Sequence, residues 1–388
     1  MTDCTEFEDF SVIGGPLHWL GCRLGLVRGK TNTIAIGVAL GGFLWTVQLA
    51  LFVLDGMSNR ILSLSVIGAH VRLLVAIPLF FLCETWLTPR MAAFVRGIVN
   101  SGLVPKTELT TFQAETAAIA RWKDAWLPEL VCVLIAAPLS FVKPPLIDMV
   151  GATAAYHPNP VTGGMTLSDA WYWVVCLVVF HFLMFRWLWH LGLWCHFLWR
   201  ISRLRLHLVP TNPDGVAGLG ALEIIHSQFA PLVMAISAVG SASFAEEISA
   251  GTMTIKAIYP QLAVLLVVYA VLFLGPLMIF TLKLKDCRLK GLMDYGAVAA
   301  RYVNEFEKKW VGEDGAREPD LLGSPDLQSL ADLSNSIGVV RNMRMAPISR
   351  RILMALVISA LLPMLPLVLF VYPVGSLAEN LVKILFAQ

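Results

Sequence analysis

Two arginines stand where a charge is costly. Arg72 and Arg186 fall inside apolar runs long enough to cross a bilayer, and Glu84, Glu129, Glu246 and Glu247 lie within or at the ends of such runs. An ionisable group in hydrocarbon costs roughly 2.5–3.5 kcal/mol on insertion scales, so each needs a partner or a wet cavity. At 1.5 Å per residue, Arg72 sits ~9 Å inside the outer end of its run and Arg186 ~24 Å from the outer end of its own. Matching depth sets Arg186 beside Glu84 or Glu129 on the inner side, with His190 one turn below it. Arg72, with His70 nearby, matches Glu246 or Glu247 on the outer side. Two charged layers at different depths are what a gated polar path requires. The same residues also serve as dry pairs that fix helix register, with the arginines reaching towards the headgroups.

The run that holds Arg186 is rich in tryptophan (Trp171, Trp173, Trp187, Trp189, Trp194, Trp199) and carries His181, His190 and His196. Two axial imidazoles can hold haem. His196 and His226 match in depth for such a pair, whereas His181 has no mid-membrane counterpart. The plainer use of these histidines is hydrogen bonding within the bundle. No HExxH, no CxxC and no Ser-His-Asp order is present, so no enzyme class, metal site or other cofactor is nominated. The seven cysteines lie outside the expected external loops, which argues against disulfides.

The most motif-like passage is His207–Gly220, with Pro210, Pro213, Asp214, Gly215, Gly218 and Gly220 in a Pro-x-x-Pro-Asp-Gly-x-x-Gly-Leu-Gly pattern. Pro213-Asp214-Gly215 is a strong turn, and Asp214 is placed to cap a helix starting near Val216. Backbone amides in such a loop also suit phosphate, but the Gly-Lys-Ser/Thr of a Walker loop is missing and Asp214 repels anions. The loop resembles one in uncharacterised bacterial multi-pass inner membrane proteins. That resemblance covers the loop and the general span layout, and it implies no established activity.

These residues must be positioned by helices in lipid. Hydrophobic residues are 57% of the chain and charged ones only 14%, against about 25% charged in soluble domains. About 20 apolar residues span the ~30 Å hydrocarbon core. Seven runs qualify: Ile34–Leu54, Val66–Leu87, Leu127–Val142, Ala170–Leu193, Phe229–Ala245, Pro260–Leu282 and Ile352–Tyr372. With the amino terminus inside, 23 of the 29 Lys and Arg residues fall on the inner side, as the positive-inside rule demands. Seven crossings then put the C-terminus outside. The first 30 residues lack the basic and apolar regions of a signal peptide.

The expected fold is therefore all-α: a polytopic transmembrane bundle of about seven spans with a small cytoplasmic helical layer. Landmarks recur in order. Ala39–Gly42 resembles Ala238–Ser241, Ile77–Phe80 resembles Gly275–Met278, Arg96–Gly102 resembles Lys290–Gly296, and Ala137–Leu139 resembles Leu362–Met364. Gly41 to Pro78 is 37 residues and Gly240 to Pro276 is 36. A 3+1+3 parallel repeat follows. Its parts are an N-terminal segment 1–33, a first repeat 34–147 with insert 88–126, and an external loop 148–169. A linker span 170–205 and the Pro/Gly loop 206–228 come next, then a second repeat 229–372 with insert 283–351 and an external tail 373–388. Helix kinks are expected at Pro78, Pro138, Pro276 and Pro363, lining a central cavity. Gly37 and Gly41 make a small-residue face for tight packing or a homo-oligomer contact.

Three functional classes fit. The first is a channel or transporter for a small polar or ionic solute in the bacterial inner membrane. The second is a non-transporting scaffold, assembly factor or sensor with a cytoplasmic partner-binding layer. The third is a haem or redox membrane protein. No nucleic-acid partner is expected. Arginines facing a hydrated cavity favour the first class, and sealed pairs favour the second.

Overall fold

Length and apolarity decide which helices can cross a membrane. The computed structural model describes residues 10–11, 14, 33–141, 165–311 and 324–370, and every regular element among them is helical. In chain order these are α1 (Ile34–Leu54), α2 (Leu64–Asn100), α3 (Leu109–Lys123), α4 (Trp126–Leu139), α5 (Leu167–Arg203), α6 (Ala221–Ser249), α7 (Lys256–Trp310), α8 (Pro325–Arg341) and α9 (Arg350–Val368). Six of them, α1, α2, α5, α6, α7 and α9, are long and apolar enough to span a bilayer. The chain is a multi-pass membrane protein. The expected third span, Leu127–Val142, is described as a 14-residue helix. That is about 21 Å, short of the ~30 Å core, and the chain from residue 142 lies outside the described residues. Residues 148–164 of the expected external loop, the N-terminal segment but for four residues, and the tail also lie outside them, and residues 167–169 of that loop belong to α5.

Burial sorts these helices. In α2, α5 and α6 half or more of the apolar window is buried, against a third or less in α1, α7 and α9. The centre is built from α2, α5 and α6, with Phe80, Phe180, Trp194, Phe197 and Phe229 fully enclosed. The ends of α2, α5 and α7 run on past their apolar stretches and pack with α3, α8 and the 204–220 loop. Tryptophans of α5 supply aromatic contacts to its neighbours: Trp194 meets Phe94 of α2, and Trp189 meets Trp122 of α3.

Three of the long helices contain a five-residue π turn: Arg72–Ala76 in α2, Tyr172–Cys176 in α5 and Ala270–Leu274 in α7. The first and third end two residues before Pro78 and Pro276. The consequence is clearest in α2. Ile77 N–H bonds back five residues to the Arg72 carbonyl, and Pro78 has no N–H to offer. The Leu73 carbonyl is thereby turned outward, towards Gly41 of α1. A Cβ on Gly41 would lie 2.2 Å from that oxygen, and one on Gly37 would lie 2.8 Å from Phe81. The small-residue face of α1 is thus occupied by α2 within the same chain.

Other expected landmarks behave unlike their partners. Gly102 closes α2 with a left-handed φ of +69°, as a C-terminal glycine does. Gly296 instead sits within the continuous α7. Gly291 packs so closely on Pro210 that a Cβ would come within 2.7 Å of it, whereas nothing lies within 4 Å of one on Gly97. Pro138 lies in the last turn of α4, and Pro363 opens a nine-residue 3-10 stretch, Leu362–Phe370, at the end of α9.

Candidate functional site: two buried arginine clusters

Arg186 of α5 draws together α2, α4 and the chain at Gly14. Its Nη2 donates to Glu84 Oε1 of α2 at 2.9 Å and to the Gly14 carbonyl at 2.8 Å, and its Nε donates to Glu129 Oε1 of α4 at 3.3 Å. Glu84 and Glu129 were alternatives by depth, and the structure brings both to one guanidinium, whose fork of five N–H donors suits divided attention. Arg186 is 2% exposed. His190, also buried, stands edge-on to Trp187 with ring centroids 6.2 Å apart. Further along, Ser140 Oγ and His181 Nδ1 are 3.0 Å apart, so two polar contacts fix α4 against α5.

The second cluster is centred on Arg72, 1% exposed. Its Nη1 donates to Tyr172 Oη of α5 at 3.0 Å and its Nη2 to Ser243 Oγ of α6 at 3.1 Å. Glu246 Oε1 accepts the Gly68 backbone N–H at 2.7 Å. Arg72 and Glu246 converge on Gly68: a Cβ there would lie 2.7 Å from Arg72 Nη1 and 2.8 Å from Glu246 Oε1. Of the two acids matched by depth, Glu246 is in the cluster. Glu247 is half-buried, and its carbonyl closes the turn onto Thr252. Gly68, Tyr172 and Ser243 were not anticipated. Gly68 lies four residues before Arg72, hence on its face of the helix, which is the signal that was available.

His70 is not part of this cluster. Its Nδ1 accepts from Trp45 Nε1 at 2.9 Å, and its Nε2 lies 2.7 Å from the Ile61 carbonyl. An indole N–H only donates, so the Nε2 of a neutral ring carries the proton. A second Trp-His-carbonyl relay joins α5, α6 and α7. Trp194 Nε1 donates to His226 Nε2 at 3.1 Å, and His226 Nδ1 donates to the Phe273 carbonyl at 2.7 Å. Phe273 lies in the π turn of α7, where widened bonding leaves a carbonyl within reach. This corrects the haem pair: both nitrogens of His226 are engaged, and His196 is exposed and tilted against Trp199 with ring centroids 5.9 Å apart.

The Pro/Gly loop makes its turn as expected, with Gly215 N–H bonded to the Asn212 carbonyl and φ +69° at Gly215. The helix after it differs: it begins at Ala221, not near Val216. Asp214 instead folds the loop around its own carboxylate, which accepts from Val216, Gly218 and Gly220 N–H groups at 2.8–3.2 Å. The amides that a phosphate would need are held by an internal anion. Gly218, at φ +102°, adopts a conformation open essentially to glycine. Arg344, in the segment between α8 and α9, holds the loop by donating to the Asp214 and Gly215 carbonyls, and it pairs with Glu223.

The expected cavity lined by the kinks is not polar. A cavity of about 610 Å³ lies between α2, α6 and the 3-10 end of α9, and a second of about 270 Å³ lies on the other side of that end. Pro363 and Pro366 line the larger one; Pro78, Pro138, Pro276 and both arginines do not.

No family model, curated protein or solved structure matches the chain.

Proposed function

We propose that this chain is a non-transporting component of the membrane, a scaffold, assembly factor or sensor, whose helical layer beyond the bilayer contacts a partner. The observation that carries this reading is the sealing of both intramembrane arginines. At 1% and 2% exposure, with hydrogen bonds to neighbouring helices, they act as ties between α2, α4, α5 and α6. Removing one partner of a buried pair costs about 3–5 kcal/mol, which suits residues that hold a bundle in one arrangement. The partner-binding side is the extension of α7, where Leu289 and Met293 are exposed well past the apolar stretch. The amino-terminal side is cytoplasmic in this reading, on the strength of the basic residues, and the membrane is a bacterial inner membrane, in keeping with the loop resemblance. A seventh crossing at Leu127–Val142, expected from the sequence, belongs to this reading. The π turns that end two residues before Pro78 and Pro276 support a parallel repeat, though the unlike roles of Gly102 and Gly296 limit it to the spans.

A second reading, a channel or transporter for a small polar or ionic solute, is favoured by one feature: a π turn begins at Arg72, and another at its partner Tyr172. Such turns recur at functional sites. Ion flux in proteoliposomes separates the two. The purified chain should release no more K⁺, Na⁺, H⁺ or Cl⁻ than empty vesicles, and flux abolished by Arg72→Met or Arg186→Met would establish the second reading instead.

A further inference from the structure

The 610 Å³ cavity is open at the side of the bundle, and its walls run continuously into the lipid-facing surface. Leu64, Val75 and Leu362 belong to its lining and are also 47%, 39% and 48% exposed. It extends along α2 from Leu64, at that helix's end, to Val75. Eleven residues at 1.5 Å is about 16 Å, one leaflet of a ~30 Å core. On α6 four of the five facing positions are small, Ala238, Ser241, Ala242 and Ala245, with Met234 at the far end, and among the described residues no side chain on that face fills the groove. Opposite them, Pro363 and Pro366 hold α9 in its 3-10 stretch. Among the described residues of the lining, Ser241 is the sole hydroxyl-bearing or ionisable one. Water gains little in such a site, since apolar cavities stay dry.

We infer that this groove is a binding site for one acyl chain of a bilayer phospholipid, held between α2, α6 and α9 with its methyl end near Val75 and Met234. Lipid tails are as apolar as the helix surface, so transfer out of water supplies no preference. Contact does. A chain on a convex helix touches protein on one side, whereas a chain in this groove is enclosed on three, and dispersion contacts add up over its length. The volume lies within the range of small-molecule pockets. The groove thus joins the bilayer boundary that the apolar helices already define, and it does not depend on whether the chain transports.

The test is photolabelling in nanodiscs containing a trace of phosphatidylcholine with a diazirine at the end of one acyl chain, mapped by mass spectrometry. Labelling at Val75, Met234 and Ala238 should exceed that at Val267 and Leu134, which are 62% and 63% exposed outside the groove, by about fivefold, a preference worth ~1 kcal/mol. Ala242→Phe should abolish the groove labelling and leave Val267 unchanged. Ala238→Leu, a milder filling of the inner end, should move the label outward along α6. Equal labelling inside and outside the groove would overturn the inference, as would a crosslink from groove residues to a second copy or to another segment of the chain.

Discussion

Arg72 and Tyr172 each begin a π turn, and they hydrogen bond to each other at 3.0 Å. A π turn inserts one residue into the helical register and moves the side chains after it round the axis. The two insertions face one another across α2 and α5, with Ser243 and Glu246 of α6 completing the contact. The cluster fixes three helices at one level.

Gly68 is required by that contact. Gly68→Ala puts a methyl group within 3 Å of both Arg72 and Glu246, so we predict a loss of about 1–3 kcal/mol from overpacking. Tyr172→Phe removes a bond to a charged donor and should cost about 1.5–3 kcal/mol. Thermal unfolding in detergent measures both. An unchanged Tm for Gly68→Ala would mean that the cluster is loosely packed.

Gly41 and Gly42 are adjacent in sequence and opposite in consequence. Gly41→Ala collides with the Leu73 carbonyl oxygen at 2.2 Å, whereas a methyl on Gly42 meets nothing within 4 Å. Separation of α1 from α2 is expected in the first, with a loss of at least about 1–3 kcal/mol, and no loss in the second. Melting temperatures of the two variants side by side check this, and equal effects would refute the close approach.

At Arg186 the asymmetry of burial orders the variants. Arg186→Met leaves two carboxylates without their guanidinium and should cost about 3–5 kcal/mol. Glu84, 3% exposed at its side chain, should matter more than Glu129, at 14%, when each is changed to Gln. A triple variant, Arg186→Met with Glu84→Leu and Glu129→Leu, should recover much of the loss, because an apolar replacement has no charge to desolvate. Chemical denaturation of the four proteins tests that order.

The hairpin of α7 and α8 is closed by Asp326. Hydrogen bonds from Lys309 and then from Trp310 hold its carboxyl below the usual 3.8. A native pKa lower than the unfolded one means that the unfolded segment binds the proton more readily. The stabilisation is therefore complete above pH 3.8 and is lost as pH falls through the lower native value. Spin labels at Glu305 and Gln328 should keep a single short distance above pH 4 and broaden below it. Asp326→Asn should remove the pH dependence, and a distance that ignores both pH and the variant would exclude the clasp.

Much of this was legible from the chain. Depth counting matched Arg186 with Glu84 or Glu129, and Arg72 with Glu246 or Glu247, because a helix rises by a fixed amount per residue and a buried charge must be met. It could not divide one guanidinium between two carboxylates, since that depends on side-chain reach across three helices. The π turns were invisible: no residue type announces an inserted residue, and Pro78 and Pro276 signalled only a break. Asp214 was read as a cap for the following helix, but two glycines with left-handed φ let the loop close on the carboxylate first. The small-residue face of α1 was read as one for tight packing or a homo-oligomer contact, and the choice between them, settled by a carbonyl released by a π turn of α2, needed the fold.

The sealed arginines are the central claim, and thiol accessibility beside them tests it most directly. In a chain whose native cysteines are replaced, single cysteines at Ala69 and Leu183 stand one turn from Arg72 and Arg186. In proteoliposomes, a charged methanethiosulfonate reagent applied from either side should modify them no faster than a cysteine at the lipid-facing Val267. Rapid modification at either position would place water beside the guanidinium and contradict it.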